Sequence, residues 1–291
     1  MLAREEPMTN PSPFIKWAGG KTQLLRQFGP YFPVSLSSYI EPFLGGGAVF
    51  FHLYNQRRLN GKRVTLMDRP EELVNGYRVV QNHVEQLIAA LQAHEPRKKE
   101  EAYFYKVRRW DRKPGYNRRS AVERAARFVF LNRTCYNGLY RVNRQGQFNA
   151  PFGRYRNPTI CNADKLRAVS QALAGITLKV GDFEQCLECA EPGAFVYLDP
   201  PYHPLSATAR FTSYTASAFT TRDQERLAGL FRELDGRDCQ VLLSNSYTDL
   251  IRELYDGYEQ VQVQAARAIN SRGDGRQPIP ELLIMNHYER G

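Results

Sequence analysis

Three short apolar runs in this chain each give way to an aspartate. Residues 63–67 lead into Asp68, 176–180 into Gly181 and Asp182, and 194–198 into Asp199. Runs of this length, rich in Val, Leu and Ile, read as strands. Others lie at 240–244, 260–264 and 282–287, and one more precedes Glu41. Helical patterns separate them. Residues 71–92 place Leu73, Val74, Tyr77, Val80, Val84, Leu87, Ile88 and Leu91 at helical spacing, and 223–234 repeat the pattern behind an N-cap at Thr220 or Thr221. Strands alternating with helices predict an α/β fold whose sheet is mainly parallel and covered on both faces. Such sheets bind ligands at the carboxyl ends of their strands, where these acids stand.

The run 196–202, V-Y-L-D-P-P-Y, is the sharpest of these strand ends. Two prolines cannot continue a ladder, so the strand stops at Asp199 and leaves stiffly through Pro200 and Pro201 to Tyr202. A rigid exit is one use of that pattern. Holding Asp199 and Tyr202 in one geometry for chemistry is the other. Residues 41–47, E-P-F-L-G-G-G, form a glycine-rich turn between a strand and a helix. Consecutive glycines let a backbone approach a ligand, although a plain tight turn needs them too. The spacing fits neither G-x-x-x-x-G-K-[ST] nor G-x-G-x-x-G. About 20 residues on, Asp68 stands where an acid can accept the ribose hydroxyls of a nucleoside. Asp182 could receive the exocyclic amine of an adenine, with Phe183 packing on the ring. Each of these acids also reads as an ordinary strand-end aspartate. In K-W-A-G-G-K, residues 16–21, Trp17 sits beside paired glycines between two lysines, an aromatic face suited to a ligand or to the core.

Charge is unevenly spread. The net charge is +10, but residues 97–156 hold 17 Lys+Arg against 4 Asp+Glu, a local +13, and the remainder sums to −3. A basic block inside a near-neutral chain is a footprint for a polyanion, or else a solvated basic face. Within it, 121–132 read as a helix. The Tyr-, Asn-, Gly- and Arg-rich stretch after Cys135 reads as a hairpin or extended loop, with turns at Asn137-Gly138 and Gln145-Gly146. No run of about 18 apolar residues exists to span a membrane. The opening M-L-A-R-E-E-P-M-T-N has no apolar core and does not read as a signal peptide. Five scattered cysteines suit a reducing cytoplasm. The one CxxC, Cys186 and Cys189, lacks the second pair of a structural zinc, and dispersed histidines offer no catalytic metal set.

Five motifs then stand in a telling order: F-I-K-W-A-G-G-K, E-P-F-L-G-G-G, L-N-R-x-x-Y-N-G-L, F-N-x-P-F-G-R-Y and D-P-P-Y. Together, from Phe14 to Tyr288, they resemble the Dam-type (D12 class) DNA adenine-N6 methyltransferases. The resemblance implies a Rossmann-like methyltransferase core at 1–75 and 157–291 and a helical target-recognition insertion at 76–156. It implies transfer of methyl from S-adenosylmethionine, leaving S-adenosylhomocysteine, to N6 of a flipped-out adenine in duplex DNA, commonly within GATC. It gives Asp199, Pro200, Pro201 and Tyr202 the target base. Trp17, Lys21, Glu41, Phe43, Gly45, Gly47, Asp68, Asp182, Phe183 and Asp199 fall to the cofactor. Lys16, Tyr136, Asn137, Leu139, Arg141, Pro151, Arg154 and Tyr155 fall to the DNA, with Lys16 on the first guanine. Arg141 suits a guanine edge, and Leu139 and Pro151 a thymine methyl. The implied setting is a bacterial or phage-encoded cytoplasmic monomer, with a cognate restriction endonuclease left open. One departure is M-D-R-P around Asp68, where the family often has D-I-N. Methylation of cytosine N4 or RNA adenine, and a catalytically silent DNA-binding module, are the alternatives.

Overall fold

The structure, a computed structural model, describes residues 9–205, 219–265 and 279–290. Residues 1–8 of the opening segment read above lie outside them. Seven strands form one sheet: β1 (Ser38–Glu41), β2 (Arg63–Asp68), β3 (Thr177–Val180), β4 (Phe195–Leu198), β5 (Gln240–Ser246), β6 (Glu259–Ala265) and β7 (Ile279–Met285), in the order β3-β2-β1-β4-β5-β7-β6. β1 pairs in parallel with β2 and β4, and β4 with β5. β7 lies antiparallel between β5 and β6. The order reverses between β1 and β4, the switch point at which Rossmann-like sheets open a ligand crevice. Glu41 and Asp199 stand at the carboxyl ends of those two strands.

By its contacts the chain divides into two compact units. One is Met1–Gly20, Gly45–Arg58 and Pro70–Val180, and the other Lys21–Leu44, Leu59–Arg69 and Gly181–Gly291. The first holds helices α2 (Ala48–Asn55), α3 (Glu71–His94), α4 (Glu101–Arg108), α5 (Ala121–Thr134) and α6 (Ala163–Leu173). The expected insertion, 76–156, lies wholly within it. Helix α5 starts on a capping box, Ser120 with Glu123. Phe104, Val107, Phe130, Leu131, Phe148 and Ile160 make an apolar core joining α4 and α5 to the segment that follows. That segment is hairpin-like, with bridges Cys135 to Phe152 and Val142 to Phe148. The periodicity over 71–92 finds its helix, but α3 breaks at His83 (φ −141°, ψ 38°), which the spacing of apolar residues does not reveal.

The second unit holds α1 (Leu25–Phe28), α7 (Thr221–Gly236) and α8 (Asp249–Leu254), and α7 and α8 pack on the sheet. Leu227, Phe231, Leu234 and Ile251 meet Val196, Leu198, Val241 and Leu243 in one buried cluster. Burying each such side chain contributes about 1.5–3 kcal/mol before chain entropy is counted. β1 and β4 are buried at every position, as central parallel strands should be. The N-cap of α7 is Thr220, in a capping box with Asp223.

Candidate active site

The D-P-P-Y segment leaves β4 in the second unit and is gripped from all sides. Lys21 Nζ, from a side chain only 5% exposed, lies 2.7 Å from Asp199 Oδ1 and donates to Oδ2 at 2.9 Å. Ser244 Oγ donates to the same Oδ1 at 2.8 Å. Its single proton is thereby used, so the Tyr197 hydroxyl, 3.0 Å away, donates to Ser244. Past the prolines, Gln224 Nε2 donates to Pro201 O at 3.1 Å and is itself held by Asn245. Asn245 Oδ1 accepts the His203 N–H, and Ser246 Oγ donates to His203 O. Tyr202 places its ring 4.6 Å from Lys21 Nζ and donates its hydroxyl to Glu281 Oε2 at 2.7 Å. Because β7 runs antiparallel, Glu281 pairs with Ser246 at the carboxyl end of β5. Burial pushes the Tyr202 hydroxyl well up, aided by Asp199 and Glu281. Burial also raises Glu281 against the downward pull of Tyr202 and Lys21.

The other strand-end acids of this unit, Glu41, Asp68 and Asp182, lie along the same edge. Glu41, 2% exposed, accepts the Tyr39 hydroxyl at 2.8 Å. Asp68 accepts the Arg69 N–H, and its carbonyl takes the Gly181 N–H at 3.1 Å, tying the end of β2 to the turn that carries Asp182. Asp182 caps the following turn through the Glu184 N–H and accepts Arg226 Nη2 at 2.8 Å. Phe183 is 4% exposed. Its ring stacks on Phe43 at 5.4 Å, and the Arg226 guanidinium stands 4.8 Å from its centre. Phe43 is the less buried ring of the pair.

In the first unit, Trp17 lies on the glycine turn. Gly45 has φ +48°, and a Cβ there would come within 2.6 Å of Trp17 Cδ1. Gly47, φ +71°, is the N-cap of α2. Tyr77 donates its hydroxyl to Gly45 O, and Tyr140 stacks on Trp17 at 5.5 Å. Asn132, fully buried near the end of α5, joins Lys16 to the Asn137-Gly138 turn. Both turn residues have positive φ (54° and 65°), and Leu139 N–H closes on Tyr136 O, the pattern of a type I′ turn. The turn presents Tyr136 and Leu139, 54% and 37% exposed. Lys16 Nζ sits 4.2 Å over the Tyr155 ring. Arg141, exposed, is steadied by Asn149 at 2.7 and 3.2 Å. Arg154 reaches Glu101, and Pro151 O takes the Tyr136 N–H.

Part of the basic block is turned inward. Arg127, 4% exposed, pairs with Asp111 at 2.7 Å and donates to the carbonyls of Val107 and Arg108. Arg108, Arg112 and Arg133 also hold backbone carbonyls, and Arg124 pairs with Glu71 and Glu72. Net charge therefore overstates the outward field. Residues that sequence reasoning missed are Ser244, Asn245, Ser246, Gln224, Glu281 and Arg226. The signal for the first three was present: V-L-L-S-N-S ends an apolar run on polar residues, as V-Y-L-D does.

Residues 17–269 match the family of D12 class N6 adenine-specific DNA methyltransferases. The chain belongs to that family. It is 46% identical over 290 residues to the type II methyltransferase M.MjaIII of Methanocaldococcus jannaschii, covering 94% of this chain and 99% of that one. It is 40% identical over 280 residues to the type II methyltransferase M1.LlaDCHI of Lactococcus lactis, 96% of each. It is 34% identical over 273 residues to the DNA adenine methylase of Escherichia coli, 94% of each. As a D12 methyltransferase the protein is an adenine-specific DNA methyltransferase, and family membership implies use of S-adenosylmethionine. The donor set suits that group: carboxylates at the ends of β1, β2 and β4 and beyond β3 can accept hydroxyl and amine protons and favour a sulfonium cation. Among the described residues no helix is long and apolar enough to cross a membrane.

Proposed function

We propose that this D12 methyltransferase methylates N6 of an adenine turned out of duplex DNA, within GATC. The observation that carries the reading is the fixed Asp199-Pro200-Pro201-Tyr202 segment, with Asp199 held by Lys21 and Ser244 and Tyr202 held by Glu281. An adenine inside a duplex cannot present its amino group, so the base must leave the stack at a cost of a few kcal/mol. Tyr202 offers a ring for the extruded base, and stacking is worth roughly 1–3 kcal/mol. The amino lone pair is delocalised into the purine. Asp199 accepts one N–H and the Pro200 carbonyl the other, which draws the nitrogen toward a pyramidal form. When bound, S-adenosylmethionine supplies an electrophilic methyl group. The chain's part is positioning and a preorganised field, and no thiol or strong base is needed.

Glu41, Phe43, Asp68, Asp182 and Phe183 serve the cofactor in this reading, with Trp17, Lys21, Gly45 and Gly47. Phe183 acts from beneath: its buried ring backs Phe43. Within 76–156 together with Lys16, the exposed Tyr136, Leu139 and Arg141 and their neighbours Asn137, Pro151, Arg154 and Tyr155 meet the DNA. Arg141 reads a guanine edge.

The test is transfer of labelled methyl to a duplex with one GATC beside a duplex with that site scrambled, followed by nucleoside digestion. N6-methyladenine on the first alone is the expected result. Equal labelling of both would remove the GATC reading and leave the chemistry. Methylcytosine would move the target to another base.

A further inference from the structure

We propose that Arg226 is a positioning residue for the purine of the cofactor, acting through Asp182. The inference rests on the reading that Asp182 receives the exocyclic amine of that purine. Arg226, on the second turn of α7, spreads its guanidinium over three carboxylates. Nη2 lies 2.8 Å from Asp182 Oδ1 and 2.7 Å from Glu184 Oε2, Nε lies 3.1 Å from Glu184 Oε1, and Nη1 lies 3.0 Å from Asp223 Oδ1. Its own place is set by the helix start. Asp223 Oδ2 accepts from both the N–H and the hydroxyl of Thr220 in the capping box, and Oδ1 takes the guanidinium. The planar fork thus transmits the position of a helix N-terminus to Asp182.

The consequence lies in how the carboxylate is oriented. The Glu184 N–H and Arg226 both bond Asp182 Oδ1. The Gln185 backbone also donates to the Asp182 side chain in a capping box, and the side chain remains 29% exposed. The carboxylate therefore cannot swing freely, and it presents its exposed edge in one direction. A directed acceptor favours a purine with an amine at position 6 and opposes one with a carbonyl there, where acceptor would face acceptor. Arg226 thereby sharpens the choice between adenine and hypoxanthine in the cofactor.

The experiment compares S-adenosylhomocysteine with S-inosylhomocysteine, its 6-oxo counterpart, by calorimetric titration of the full chain. Wild type should prefer the adenosyl compound. Arg226→Gln should lower that preference by about tenfold, through the adenosyl affinity alone. Arg226→Lys, which keeps the charge without the fork, should fall between, and it carries the comparison if the glutamine variant does not fold. Asp182→Asn, which gains an amide donor, should shift the preference toward the inosyl compound. An unchanged ratio in Asp182→Asn would overturn the Asp182 reading and the proposal with it. A shifted ratio there, with wild-type selectivity in both Arg226 variants, would leave Asp182 in place and overturn Arg226. Equal weakening of both ligands in the Arg226 variants would reduce Arg226 to a structural brace.

Discussion

Asn132 grips the backbone of Lys16 from both sides. Its amide oxygen accepts the Lys16 N–H at 2.8 Å, and its amide nitrogen donates to Lys16 O at 2.7 Å and to Gly138 O at 3.1 Å. One buried side chain thus fixes the segment proposed to touch the first guanine and the turn beside it. Asn132→Ala should cost about 1–3 kcal/mol in urea denaturation, because backbone groups lose their partners. It should also reduce the ratio of methylation rates between GATC and AATC duplexes. An unchanged ratio would mean that Lys16 does not read that base.

Lys21 contacts both oxygens of Asp199. Lys21→Gln removes the ammonium that orients the carboxylate. Single-turnover methyl transfer should slow by about a hundredfold, the scale of losing one preorganised polar group. A change in cofactor affinity with an unaltered transfer rate would assign Lys21 to the cofactor alone.

Glu281 gives stability a pH signature. Burial holds its carboxyl above the ordinary value, so the folded state binds that proton more readily than the unfolded one. The stabilising contribution is complete below the ordinary carboxylate range, about pH 4. It is lost as pH rises through the raised folded value. Urea midpoints of Glu281→Gln should therefore gain on wild type as pH climbs through that window. Parallel curves would show that Glu281 does not titrate there.

Arginines within the basic block divide into two kinds. Removing Arg127 strands the buried Asp111 carboxylate, and Arg127→Met should cost about 3–5 kcal/mol. Arg144, exposed in the hairpin-like segment, should behave oppositely. Arg144→Gln should leave stability unchanged and flatten the plot of log binding constant against log salt by about one unit. A slope unaffected by Arg144→Gln would place that side chain away from DNA.

What the sequence makes legible follows from local physics. Proline after Asp199, continuous apolar character in β4 and an N-cap at Thr220 or Thr221 are each decided by neighbours in the chain, and each can be read there; the structure settles the last on Thr220. The insertion of β7 between β5 and β6 cannot, because pairing order depends on contacts far apart in sequence. Glu281 escaped notice for that reason. The break at His83 is invisible because apolar residues keep their spacing on both sides of it. Arg127 and Arg141 carry the same charge on paper, and only packing tells the buried one from the exposed one. The pairing of Arg226 with Asp182 likewise joins residues 44 positions apart.

The bonds that fix the D-P-P-Y segment span 178 residues, from Lys21 to Asp199, and 79, from Tyr202 to Glu281. Closing loops of that length is slow and yields nothing until the ends meet, whereas α3 and α7 can form from close neighbours. During refolding, helical signal should return well before methyl transfer does. In that interval the apolar β4 and β5 lack their partners, so the delay before the first turnover is also the period in which the chain is most exposed to aggregation.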